Sequence, residues 1–371
     1  MDMVDRASNS IMFGRMVETT AAELSHIMEV SVREHARDMV KKALGRPVHV
    51  SDPMFWPAGM LMLGLAEARK VAKRSGDVEC DLVKLVDEAF SGHIELWKRQ
   101  YGSKVSFVDD ALAGAALLEM YDQTADEKYK EAVQKIYEFV SNAPRDDEGS
   151  VIYNASKGNR NIFADGVGQT SMFLSLYGRM FNVPEALELA RTQLLNFKQY
   201  GMDERSGLCY HGYELKDGVV EKKGLLGWGR AMGWLMMGLS VHAAGGKDSE
   251  LADWFREMAA NTASFCRQDG GYSWQIQAME GHFDSSATGM LIYSLLVGNE
   301  AFDSQQDEQD TIANLVNAGL GMLASQTDER GRVGSALSSC EDFGVHYQNY
   351  GHYPWGQGAA LAAASLALQR Q

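Results

Sequence analysis

The sequence has few basic residues for its size. Its 371 residues include 35 Lys and Arg against 50 Asp and Glu, which gives a formal net charge of −15 at pH 7. This balance argues against the phosphate backbone of a nucleic acid, or an anionic membrane surface, as the main partner. A small anionic ligand remains compatible with it, because a single Arg can hold a carboxylate inside an acidic protein.

Long apolar runs, a basic leader and paired cysteines are also missing. The apolar stretch from Met60, MLMLGLAEA, is far shorter than a membrane span, and no basic segment followed by an apolar one opens the chain. The four cysteines are far apart and form no CxxC pair, which is typical of reduced thiols rather than of a zinc site or a disulfide framework. We therefore expect a soluble, cytoplasmic protein that binds no metal and no membrane.

Only six prolines are spread along the chain, and no segment has the composition of a linker, which predicts one domain over residues 1–371. Six similar segments recur roughly every 50 to 70 residues, as in helical-hairpin repeats. Each opens with polar or Gly residues and continues as an apolar helix rich in small residues. They begin at Pro57, Asp109, Asp165, Gly229, Asp284 and Trp355. More charged helical segments lie between them, and an earlier helix at about residues 21–44 completes that second set.

The two kinds of helix predict the architecture. A helix that is apolar on all sides must be buried, whereas an amphipathic helix can face water on one side. An inner ring of apolar helices inside an outer ring of amphipathic ones satisfies both, so the sequence predicts an all-α fold, an (α/α)6 barrel. An open solenoid of helix pairs is the alternative, but it needs polar capping repeats, and none is evident.

In such a ring the inner helices begin at one mouth, where helix dipoles and unpaired N–H groups favour anions. Charged residues lie at or near these openings, namely Asp109, Asp110, Asp165, Arg230 and Asp284. Asp is a preferred N-cap residue, so capping alone is the alternative explanation for each acid. Tryptophans lie at the same openings, namely Trp56, Trp228, Trp234 and Trp355. Acids and tryptophans at the mouth of a pocket suit a sugar ring.

Six motifs in order carry a family resemblance. They are VDDALAGAALLEMYDQTADEKY from Val108, FADGVGQTSMFLSLYG from Phe163, GLCYHGYE from Gly207, GWGRAMGW from Gly227, DSSATGMLIYSL from Asp284 and YPWGQGAALAAA from Tyr353. Together they resemble the unsaturated uronyl hydrolases, glycoside hydrolase families 105 and 88, which include unsaturated rhamnogalacturonyl and glucuronyl hydrolases.

The resemblance implies site residues. It implies a catalytic aspartate at Asp165 and a second carboxylate at Asp109, although the adjacent Asp110 leaves that second assignment open. It places His211, Arg230 and Trp234 at the pocket and gives Trp56 the role of stacking on the sugar. Trp228 and Trp355, at the same openings, join the predicted substrate-binding set. For Arg230 a structural salt bridge, and for His211 a place as a polar core residue, are the alternatives.

The resemblance also implies the chemistry. The expected substrate is a small oligosaccharide that ends in a 4,5-unsaturated uronate, the product of a polysaccharide lyase. A protonated Asp delivers a proton to C4 and water adds at C5, with no metal or organic cofactor. Two other functions compete with this hypothesis. One is a helical-barrel sugar epimerase, whose inner-helix ends carry histidines rather than mainly Asp, and the other is a non-catalytic toroid that binds glycans or proteins.

Overall fold

A computed structural model describes residues 3–29, 39–40, 52–74, 80–155, 158–246, 248–299, 306–340 and 346–370. The helices of this part are α1 (Met3–His26), α2 (Trp56–Arg74), α3 (Cys80–Tyr101), α4 (Asp110–Thr124), α5 (Glu127–Ser141), α6 (Ala164–Phe181), α7 (Pro184–Tyr200), α8 (Gly229–Ala243), α9 (Ser249–Ser264), α10 (Ser285–Val297), α11 (Gln306–Ser325) and α12 (Pro354–Gln369). The strands are β1 (Asn161–Phe163), β2 (Gly212–Lys216), β3 (Val219–Lys223), β4 (Ala336–Leu337) and β5 (Tyr350–Gly351). No helix among these residues is both long and apolar enough to cross a membrane.

The even-numbered helices form a closed inner ring. Each packs against the next in the order α2, α4, α6, α8, α10 and α12, and α12 returns to pack on α2. Two glycines show how close the helices come. A Cβ on Gly168 would lie 2.0 Å from the Trp234 carbonyl oxygen, and one on Gly358 would lie 2.2 Å from that of Met60. Small residues on these apolar helices therefore let the backbones meet, and the predicted (α/α)6 barrel is confirmed.

The odd-numbered helices form the outer layer. Each of α3, α5, α7, α9 and α11 packs on the inner helix that precedes it, and α1 contacts α2, α3 and α12. These helices carry buried residues on one face only, as in α5, where residues such as Tyr129, Val133 and Ile136 are buried. The helix expected at about residues 21–44 was wrong in its bounds: α1 ends at His26, and most of the remaining range lies outside the described residues. The single-domain organisation over 1–371 stays a prediction.

Two small antiparallel sheets lie where the inner helices begin. Strand β2 pairs with both β1 and β3, and Phe163 at the end of β1 is opposite Gly212. The register continues one residue further, because the Ala164 amide donates to the His211 carbonyl at 2.9 Å. This hydrogen bond places His211 beside the first turn of α6. Strands β4 and β5 pair next to α10 and bring residues 336–338 to the same mouth.

Candidate active site

Two carboxyl groups lie close together at the mouth of the ring. Asp109 immediately precedes α4 and is 1% exposed, whereas Asp165 lies in the first turn of α6 with a side chain that is 16% exposed. Burial is the main cause that raises the pKa of Asp109, to about 8; the charge of Asp165 raises it further, and a hydrogen bond from Tyr153 lowers it. A group with this pKa is mostly protonated at neutral pH, so the mouth holds a carboxylic acid beside a second carboxyl.

Helix capping does not account for this pair. The Asp109 side chain makes no capping hydrogen bond to α4, and Asp165 lies inside α6, whose N-cap residue is Phe163. Capping does explain Asp284, whose Oδ1 accepts from the Ser286 amide at 3.0 Å and from the Leu337 amide at 3.1 Å. Capping therefore explains Asp284 but neither Asp109 nor Asp165.

Asp110 points away from this pair. Its Oδ2 accepts hydrogen bonds from the Ser106 amide at 2.9 Å and the Phe107 amide at 3.3 Å, so it anchors the loop before α4. Burial, with the nearby charge of Asp52, raises its pKa well above the ordinary value. The structure thus distinguishes the two neighbours: the charge of Asp165 acts on Asp109, whereas Asp110 supports the loop.

His211 lies against Asp165. Its Nε2 is 3.3 Å from Asp165 Oδ2, and its ring is 5% exposed. The ring packs between Phe163, at a centroid distance of 4.9 Å, and Trp228, at 4.5 Å. These ring contacts and the strand register hold the imidazole next to Asp165, the more exposed of the two carboxyl groups.

Arg230 is a buried cation at the start of α8. It is 1% exposed, and its guanidinium donates to the carbonyl oxygens of Leu337 and Ser338 at 2.8 Å each. It also lies over the Trp228 and Trp355 rings at 4.9 and 5.6 Å. No described carboxylate forms a salt bridge with Arg230, so the alternative of a structural salt bridge is not observed among the described residues, although Asp284 is near enough to oppose the lowering of the Arg230 pKa by burial. The cation instead joins α8 to the β4 region.

The four predicted tryptophans come together at this mouth. Trp56 lies 4.9 Å from Trp355 and 6.2 Å from Trp234 between ring centroids. Trp228, Trp234 and Trp355 are at most 7% exposed, whereas Trp56 is only partly buried. Trp56 is therefore the most exposed of the four, and the buried Trp234 and Trp355 pack against it.

The structure adds residues that the sequence did not point to. Tyr153 donates its phenolic hydrogen to Asp109 Oδ2. His346 lies 4.9 Å from Trp228 and 6.0 Å from His211 between centroids, and Cys340 is close enough to Arg230 to affect its pKa. His352 does not join them, since it contacts Glu23 and the Val333 carbonyl. Loop residues carry no periodicity, so no pattern could have placed Tyr153 or Cys340.

The described residues form no cluster of metal ligands, and a further cavity lies away from this mouth. No three His, Cys, Asp or Glu side chains among them converge as metal ligands would. A cavity of about 790 Å³ opens at the other end of the ring, between α6, α7, α8 and α9. Its Asp248 and Glu250 carboxylates both pair with Arg191, at 2.8 and 2.6 Å, so a cation already neutralises the acids there.

A family model described as Glycosyl Hydrolase Family 88 matches residues 28–371. The chain belongs to glycosyl hydrolase family 88. It is therefore a glycoside hydrolase, and the resemblance found in the six motifs is confirmed at the level of the family. The mouth that carries Asp109 and Asp165 lies within the matched residues.

Solved structures share the fold of this family 88 chain. One from Klebsiella pneumoniae, described as a possible member of the GH105 family, has a TM-score of 0.79 at 16% identity over 100% of this chain and 95% of that chain. A similar one from Salmonella enterica has a TM-score of 0.75 at 18% identity, covering 95% and 94%. The unsaturated glucuronyl hydrolase of Bacillus sp. GL1 has a TM-score of 0.74 at 14% identity, covering 96% of each.

Proposed function

We propose that this family 88 hydrolase removes a 4,5-unsaturated uronate from the non-reducing end of small oligosaccharides released by polysaccharide lyases. The observation that carries the proposal is the carboxyl pair Asp109 and Asp165, in which burial and the charge of Asp165 raise the pKa of Asp109 to about 8. Such a pair supplies an acid and a base at the same pH. The neighbour from Bacillus is described as an unsaturated glucuronyl hydrolase responsible for the degradation of glycosaminoglycan, which supports this substrate class.

In the proposed mechanism the two carboxyl groups act on one proton, which the buried Asp109 holds and passes to Asp165. Asp165, the more open of the two, delivers the proton to C4 of the conjugated double bond. Water adds to C5 and returns a proton to the carboxylate just formed. The hemiketal at C5 then opens to a ketone, and the hemiacetal left at C1 releases the rest of the oligosaccharide. No nucleophile attacks C1, so the separation rule for retaining and inverting glycosidases does not apply.

The other side chains have binding roles in this proposal. Trp56, the most exposed of the four tryptophans, stacks on the unsaturated ring. Arg230 is a buried cation that the Leu337 and Ser338 carbonyls hold at the mouth, which suits it to the uronate carboxylate. His211, at 3.3 Å from Asp165, orients that carboxyl and the attacking water.

The test measures loss of the ultraviolet absorbance of the conjugated bond, with a panel of lyase products whose leaving sugars include rhamnose and hexosamines. We expect turnover on at least one class, and in deuterated water we expect deuterium at C4 of the opened product. Asp165→Asn should lower kcat by about 10²–10⁴-fold, as loss of acid–base catalysis does. Asp217→Asn, an exposed change in the β2–β3 turn, is the matched control and should leave kcat unchanged.

Each contrary outcome is informative. Saturable sugar binding without turnover would favour the non-catalytic toroid, and inversion of a sugar centre with the chain length preserved would favour an epimerase. Near-normal turnover by Asp165→Asn, or a product without deuterium at C4, would refute the assignment of the proton donor.

A further inference from the structure

Tyr153 spans the two helices that carry the carboxyl pair. Its ring lies on α6, because a Cβ at Gly166 would be 2.8 Å from its Cδ2, and it meets the Phe163 ring edge-on at 4.6 Å. Its hydroxyl crosses to the start of α4 and donates to Asp109 Oδ2. The backbone is held as well, since the Tyr153 amide donates to the Asn161 carbonyl at 3.0 Å. The phenol is therefore placed by packing and by a backbone bond.

Asp109 depends on this hydroxyl for its orientation. Its side chain makes no capping bond to α4, and Oδ1 has no hydrogen-bond partner among the described residues. The Tyr153 hydroxyl is thus what fixes the carboxyl of a residue that is almost completely buried. Because Oδ2 is used by Tyr153, Oδ1 is the oxygen left for a ligand or for a proton.

We propose that Tyr153 is a positioning residue that fixes the Asp109 carboxyl relative to Asp165 and sets how readily Asp109 ionises. This inference rests on the proposed function, in which Asp109 and Asp165 share one proton. A phenol that donates to a carboxylate stabilises its ionised form. Loss of the hydroxyl should therefore make Asp109 still harder to ionise, and it should also free the carboxyl to rotate.

Tyr153→Phe tests the inference, because it keeps the ring on Gly166 and Phe163 and removes only the hydroxyl. A hydrogen bond to a charged group corresponds to a shift of about one to two pH units. We expect the limb of the kcat/KM profile that Asp109 sets to move to higher pH by that amount. Loss of orientation should lower kcat at the wild-type optimum by about tenfold or more, with KM changed less.

Tyr213→Phe is the matched control. Tyr213 is fully buried, and its hydroxyl lies 3.0 Å from Ser150 Oγ, away from the carboxyl pair. Tyr213→Phe therefore also removes a buried phenolic hydrogen bond. Its stability should fall, while the pH profile of kcat/KM stays in place. An equal shift of the profile in both variants would show a general effect of packing and would overturn the inference.

A second measurement needs no substrate. Urea titration from pH 4.5 to 9 gives the free energy of unfolding of the wild type and of Tyr153→Phe. In the variant this free energy should keep falling to a pH about one to two units higher than in the wild type. In an Asp109→Asn background the same substitution should lose its pH dependence. If neither profile shifts in Tyr153→Phe, the inference is wrong. If the wild-type protein turns over no unsaturated substrate while the stability profiles still shift, the proposed function fails and the coupling of Tyr153 to Asp109 stands.

Discussion

Asp109→Asn should make the protein more stable at neutral and alkaline pH while it abolishes activity. The pKa of Asp109 rises from 3.8 in the reference state to about 8 in the fold. Over that range the folded protein keeps a proton that the unfolded chain has lost, so the free energy of unfolding falls as pH rises. Each pH unit costs about 1.4 kcal/mol, which amounts to about 4 kcal/mol at pH 7 as an upper limit.

The Asn variant does not ionise, so it escapes this cost. It loses part of the gain, because one amide N–H left buried without an acceptor costs about 1–3 kcal/mol. The net expectation is a gain of about 1–3 kcal/mol at pH 7. With an unfolding entropy of about 2.1 cal/mol/K per residue, this gain raises Tm by about 1–4 °C. The gain should disappear as pH falls towards 4, because Asp109 is then protonated in both states.

Urea unfolding of the wild type and of Asp109→Asn between pH 4.5 and 8.5 measures this difference directly. Asp217→Asn, in the exposed turn between β2 and β3, makes the same Asp-to-Asn substitution without burial and should show no pH-dependent gain. A variant that is less stable than the wild type by the same amount at every pH would refute the conclusion that Asp109 is held protonated by burial.

Two further changes test the site and the ring. Arg230→Lys should raise KM, because an ammonium cannot replace the planar guanidinium fork. The expected loss of binding free energy is about 1.5–3 kcal/mol. Unchanged KM and kcat would leave Arg230 only a structural role, through its hydrogen bonds to the Leu337 and Ser338 carbonyls. Gly168→Ala should destabilise the fold by several kcal/mol in urea titration, because its Cβ would lie 2.0 Å from the Trp234 carbonyl oxygen. Gly92→Ala, in α3 with nothing within 4 Å of its Cβ, is the control and should gain about 0.5–1 kcal/mol; equal effects of the two changes would contradict the close approach of α6 and α8.

The sequence alone determined the architecture and the end of the barrel that carries the candidate site. Apolar periodicity with small residues marks the inner helices, because a helix that is apolar on all sides has to be buried. The openings of those helices placed Asp109, Asp165, Arg230 and Trp56 at one mouth, and the structure brings them together there. Local chemistry was enough for this step, since helix direction and burial follow from the pattern of each segment.

Tertiary structure decided the finer points of the site. Asp109 and Asp110 are adjacent in sequence, and only the folded loop at 106–107 occupies Asp110 with backbone amides and leaves Asp109 to Tyr153 and the charge of Asp165. Tyr153 reaches Asp109 from a loop before β1, 44 residues further along the chain. Such contacts depend on where loops return over the ring. Loops have no repeating period, and a hydrogen bond between distant residues leaves no mark in either local sequence, so only the folded chain shows them.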